Sequence, residues 1–127
     1  MIKKFFLTWA IFIGLDFIWL GFIARNFYDQ QLEAFTRTLN WPPAILTYIL
    51  IPLGIFLFVL PKVSKKQASS FFWGAVFGLI VYGVYDLTNL AILAGWSLAM
   101  VVGDILWGMF ICGTTSLIVV SITERQK

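Results

Sequence analysis

The sequence predicts an all-α fold: a four-transmembrane-helix bundle with a short outer interfacial helix between helices 1 and 2. Two observations carry that expectation. Of the 127 residues, 61% are hydrophobic and only 12% charged, too little polar surface to coat a globule in water. The apolar residues also gather into four runs, each near the roughly 20 residues that a helix needs to cross the bilayer core. Residues 1–127 then form a single integral membrane domain, and any function sits in or at the bilayer.

The first run, residues 5–24, follows Lys3 and Lys4. Its apolar stretch is too long for the core of a signal peptide and lacks a small-residue cleavage site, so it reads as a retained span. The second, residues 42–60, opens on Pro42 and Pro43, where a missing amide hydrogen costs nothing, and closes at Pro61. Inside it Pro52 removes the helix hydrogen bond to the carbonyl of Tyr48 and is expected to kink the span, a candidate hinge. The third run, residues 69–93, and the fourth, residues 97–121, are joined only by Ala94, Gly95 and Trp96 and must form an antiparallel hairpin. Between the first and second spans, residues 25–41 are polar and of mixed charge. Leu32, Phe35 and Leu39 recur there at helical spacing and Glu33 can pair with Arg37, which predicts an amphipathic helix on the membrane surface, as a connector or a lid.

Lysine and arginine positions predict orientation. Lys3, Lys4, Lys62, Lys65, Lys66, Arg125 and Lys127 fall on one side and Arg25 and Arg37 on the other, placing both termini in the cytoplasm, with a bacterial inner membrane as the expected location. Trp41 and Trp96 then fall at the outer interface, where an indole prefers to sit. The net charge of +3 does not point to nucleic acid, because the basic residues flank apolar runs instead of clustering among stacking aromatics. The lone cysteine, Cys112, can build neither an intramolecular disulfide nor a multi-thiolate zinc site.

Asp16, Asp86 and Asp104 lie inside the first, third and fourth spans, where an ionised aspartate facing lipid would cost at least about 2.5 to 3.5 kcal/mol. Asp16 stands eight residues from Ala24, Asp86 seven from Leu93 and Asp104 seven from Ser97. At about 1.5 Å rise per residue, three helices bring one carboxylate each to a layer roughly 10 to 12 Å below the outer surface. Tyr82 and Asn89 share the helix face of Asp86, and Trp19 and Trp107 each stand three residues after an aspartate, with an indole N–H to donate. Gly74, Gly78 and Gly108 read as helix-packing positions. No lysine, arginine or histidine lies within a span, so the aspartates are expected either to hold protons or to enclose a cation. Oxygen ligands would suit a hard cation, but no spacing forms a metal motif, and neither a metal nor a cofactor is assigned.

Three segments carry a resemblance: Leu15-Asp16-Phe17-Ile18-Trp19-Leu20-Gly21, Tyr85-Asp86-Leu87-Thr88-Asn89-Leu90-Ala91, and Asp104-x-x-Trp107-Gly108. Together they resemble the signature segments of an uncharacterised family of small bacterial integral membrane proteins, a domain of unknown function. The resemblance extends over nearly the whole chain and implies a four-helix membrane protein, with no activity to transfer. Three function classes follow from the residues themselves. The first is a proton-coupled transporter of a small molecule or ion, for which a homodimer would complete a path. The others are a lipid-head-group binding protein or intramembrane enzyme, and a structural or partner-binding subunit in which the aspartates only join helices.

Overall fold

The computed structural model describes residues 1–63 and 67–126, and in these the chain is helical with four helices long and apolar enough to cross a membrane. Helix α1 (Ile2–Ile18) runs on through a π-helical turn, Trp19–Ile23, to complete the first span. A short helix α2 (Arg25–Gln31) follows. The second span joins α3 (Trp41–Gly54), with prolines in its first turn, to a second π-helical turn, Ile55–Val59. Helices α4 (Gln67–Ile92) and α5 (Leu98–Arg125) are the third and fourth spans. The α1–α2–α3 connection and the α4–α5 turn share one end of the bundle, called here the loop end; both termini share the other.

Helices α4 and α5 form the most extensive contact in the molecule, and glycine permits it. A Cβ added at Gly74 would lie 2.5 Å from the Cys112 carbonyl oxygen and 2.8 Å from the Gly113 Cα, and one at Gly78 would overlap the Gly108 backbone. Gly108 in turn lies flat against the Tyr82 side chain. Gly95 makes the sharp turn between the two helices at φ +88°, a left-handed conformation that favours glycine. Ser97 then caps α5, its hydroxyl accepting the Met100 amide at 3.0 Å.

The buried core is built from Phe12 on α1, Ile55 and Val59 on the π-helical turn, and Trp107, Ile111 and Val119 on α5. Phe17, Phe22, Val84 and Leu106 are exposed on the outside of the bundle, the faces a span turns toward lipid. The second span contributes to that core unevenly. Its π-helical turn touches α1, α4 and α5, whereas the α3 backbone rests on α1 and stays apart from that of α4, which it meets at its last residue, Gly54, against the Phe77 ring. Pro52, buried three residues before the π-helical turn, stands where the second span parts from α4. Proline deletes one rung of the hydrogen-bond ladder and the wide turn shifts it, so two departures from a regular α-helix fall together in this span.

The segment between the first two spans departs from the expected helix over residues 25–41. Helix α2 ends at Gln31, residues 32–35 turn, and residues 36–40 are irregular, with extended backbone at Asn40. Thr36 and Thr38 are β-branched and Asn40 favours caps and turns, so this stretch lacks the propensity to continue a helix. Leu32, Phe35 and Leu39 therefore share no helical face. Arg37 folds back to pair with Asp29 at 3.1 Å instead of with Glu33. Of the basic residues that predict orientation, Lys65, Lys66 and Lys127 lie outside the described residues.

Candidate functional site

A cavity of about 590 Å³ lies in the loop-end half of the bundle. Asp16 of α1 and Asp104 and Trp107 of α5 are among its lining residues; Thr47 and Leu50 come from α3, and Tyr82 and Tyr85 from α4. It occupies the wedge where the backbones of α3 and α4 stand apart, on the loop-end side of the Gly54–Phe77 contact. Leu50 and Tyr85, which flank that wedge, are 59% and 57% exposed, so the cavity opens sideways through the face a bilayer would cover. Helix α2 stands over its loop end, with Tyr28 and Leu32 contributing to the wall.

The two Asp-x-x-Trp segments meet across α1 and α5 and exchange partners. The Trp107 indole N–H donates to Asp16 Oδ1 at 3.1 Å. The Trp19 indole N–H donates to Tyr28 Oη at 3.2 Å, and that hydroxyl donates to Asp104 Oδ1 at 2.7 Å. Their rings stack with centroids 4.3 Å apart and planes within 5°. Helix geometry explains the exchange. A helical side chain leans toward the N-terminus of its own helix, so on two antiparallel helices the tryptophans lean toward each other and each reaches the neighbourhood of the other's aspartate.

Asp16 is thereby fully engaged. Its second oxygen, Oδ2, accepts the Tyr48 hydroxyl from α3 at 2.5 Å, so one carboxylate joins three spans. Asp104 accepts the single bond from Tyr28, and burial pushes the Tyr28 phenol above its ordinary pKa, which keeps it a donor. Asp86 stands behind the wall. It is fully buried, faces Asp104 and the Trp96 indole, and neither its oxygens nor the Trp96 N–H makes a hydrogen bond among the described residues. Asp86 and Asn89 do not line the cavity; Asn89 stands beside Tyr85 one turn along α4. Trp19 supports the wall from behind through Tyr28.

Two residues central to this arrangement, Tyr28 and Tyr48, are not singled out by the sequence. A tyrosine at a membrane interface reads as part of the aromatic belt, and one in a span reads as packing. The weak signal was their polarity: Tyr48 joins Thr47 as the only hydrogen-bonding side chains between Ala44 and Leu60. Helix α2 and the turn after it are also held against α5 and the α4–α5 turn. The Ser97 hydroxyl bonds to the Gln31 side chain, Phe27 packs against Gly103, and Phe35 meets Trp96 edge to face at 5.6 Å. The described residues hold no group of three or more histidine, cysteine, aspartate or glutamate side chains placed to bind a metal.

The arrangement can hold a polar head by hydrogen bonds while the lateral opening leaves an apolar tail among lipids. The profile of DUF2177, described as a predicted membrane protein, matches residues 1–121. Neither the curated proteins nor the solved structures contain a match to the chain.

Proposed function

This chain belongs to DUF2177, a family of predicted membrane proteins of unknown function, and we propose that it binds an amphiphile that enters the carboxylate cavity sideways from the bilayer. The observation that carries this reading is the wedge between α3 and α4, a cavity lined by Asp16 and Asp104 together with Leu50, Ile51 and Val81, its opening flanked by the exposed Leu50 and Tyr85. A water-soluble ligand gains nothing from such a mouth. An amphiphile keeps its tail in hydrocarbon and places only its head among Asp104, Tyr28 and Tyr82.

The charge pattern supports an orientation with both termini in the cytoplasm of a bacterial inner membrane, which puts the cavity in the outer leaflet. Membrane lipids are then the natural source of occupants. The cavity is complete within one chain, so this reading needs no homodimer. Proton-coupled transport stands second. Toward the terminal end the bundle is filled by Phe12, Ile55 and Ile111, each at most 1% exposed, and a translocation path would have to part them. Binding requires no such movement.

The test is photolabelling in lipid nanodiscs with a diazirine-bearing dodecanol. Labelled peptides are expected to concentrate at residues 47–51 and 81–85. A variant carrying Leu50→Trp and Val81→Trp, which fills the wedge, should lower that labelling about tenfold, equivalent to about 1.4 kcal/mol, with the fold retained by circular dichroism. Uniform labelling over all lipid-facing helices, unchanged in the filled variant, would refute the proposal.

A further inference from the structure

We infer that a second site, a crevice between the terminal end of the second span and α4, binds an anionic phospholipid, with Lys62 holding the phosphate and the groove taking an acyl chain. The crevice has a volume of about 140 Å³. Phe58, Val59 and Lys62 form one wall, and Trp73, Phe77 and Ile80 of α4 form the other. Phe58 and Ile80 are exposed, so the groove opens on the face a bilayer would cover. It shares no lining residue with the carboxylate cavity, and the inference is independent of what enters that cavity.

Lys62 stands just past the π-helical turn, after Pro61, at the rim of this groove. Its Nζ lies over the Trp73 ring, 4.6 Å from the centroid. A ring face attracts the charge and so keeps the ammonium against the crevice wall, yet the N–H donors remain available to an oxygen acceptor. Among the described residues Lys62 makes no ion pair; the pair formed by Arg37 and Asp29 belongs to the loop end. The end around Lys62 is basic as a whole. Lys3, Lys4 and Arg125 lie there too, and of the six acidic residues in the chain only Glu124 does. In the orientation proposed above this end faces the cytoplasm, where the leaflet carries anionic lipid.

A lysine that only anchors a span needs an apolar stem and a path to water; it needs no groove beside it. Here the groove starts at the level of the ammonium and runs inward. From Trp73 to Ile80 it follows α4 for roughly 10 Å, at about 1.5 Å per residue, which is the course of an acyl chain below its phosphate. Charge then selects among lipids. A zwitterionic head brings its own ammonium to the phosphate and competes with Lys62, whereas an anionic head brings none. A neutral lipid fills the groove but leaves Lys62 without a counter-charge.

The experiment uses the full chain in phosphatidylcholine nanodiscs carrying a trace of either phosphatidylglycerol or phosphatidylcholine, each with the same diazirine-bearing acyl chain. Peptide mass spectrometry maps the label. The phosphatidylglycerol probe is expected to label residues 58–62 and 73–80 about fivefold more than the phosphatidylcholine probe. No such preference is expected at Phe17 and Phe22, exposed on the first span. Lys62→Gln should bring the two probes to equal labelling in the crevice, and Lys62→Arg should keep the preference; circular dichroism shows independently that both variants are folded. Lys3→Gln, at the same end but outside the crevice lining, should leave the preference intact. Equal labelling by the two probes in the native chain overturns the inference, as does a preference lost as fully in Lys3→Gln as in Lys62→Gln, which would mean that the basic end attracts anionic lipid without a site. A crevice that neither probe labels, the result expected if a second copy of the chain covers it, overturns it as well.

Discussion

Replacing Gly78 by alanine puts a single methyl group where α4 meets α5. Alanine is the better helix former by about 0.8 to 1 kcal/mol, so on an open helix face this change stabilises. At Gly78 the added Cβ would overlap the carbonyl group of Gly108, and at Gly74 it would stop 2.5 Å from the Cys112 oxygen, roughly 1 Å short of ordinary contact. In both places the obstacle is backbone, which cannot rotate aside, so the helices must separate. Overpacking of this kind costs about 1 to 3 kcal/mol, and separation also thins the dispersion contacts along the most extensive interface in the molecule. The expected net is a loss of about 1 to 2 kcal/mol for Gly78→Ala. Gly14→Ala and Gly21→Ala, whose added Cβ atoms would meet nothing within 4 Å, should be neutral or stabilising. Reversible unfolding in bicelles, followed by steric trapping, measures all three. If Gly78→Ala is as stable as Gly21→Ala, the close α4–α5 approach described here is wrong.

Further outcomes follow from the hydrogen bonds. Trp107→Phe keeps a ring to stack on Trp19 but removes the donor to Asp16, and should cost about 0.6 to 2 kcal/mol in the same unfolding assay. Tyr28→Phe cuts the link from α2 to Asp104; hydrogen exchange should quicken across residues 25–35 and stay unchanged in α4. The raised pKa of Tyr28 means that folding favours its protonated form, so its contribution is complete below pH 10 and declines only as pH climbs through the higher folded value. A difference absorbance titration between the native chain and Tyr28→Phe should therefore show no phenolate forming near pH 10. Pro52→Ala restores the donor for the Tyr48 carbonyl. It should draw α3 toward α4, which faster cross-linking between cysteines placed at positions 50 and 81 would report.

The four spans and the hairpin turn were legible because hydropathy, Pro42, Pro43 and Gly95 act locally. The pairing of the polar groups was not. Sequence spacing puts Trp107 on the same face as Asp104, yet its partner is Asp16, ninety-one positions earlier in the chain, because registry between α1 and α5 is set by packing. The two π-helical turns left no compositional mark, since Trp19–Ile23 and Ile55–Val59 are ordinary apolar stretches. The wedge between α3 and α4 was hidden for a related reason. Pro52 foretells a change of direction, but which neighbour the helix leaves depends on the whole bundle. The segment after Gln31 misled because Leu32, Phe35 and Leu39 kept helical spacing where Thr36, Thr38 and Asn40 withheld helical propensity.

The exchanged tryptophans divide the two Asp-x-x-Trp segments into units that cut across the chain. Asp16, Trp107 and Tyr48 stand or fall together; so do Asp104, Tyr28 and Trp19. Among diverging relatives, loss of the Asp16 carboxylate should therefore be accompanied by change at Trp107 on the fourth span, leaving Trp19, its near neighbour in sequence, to drift in step with Tyr28.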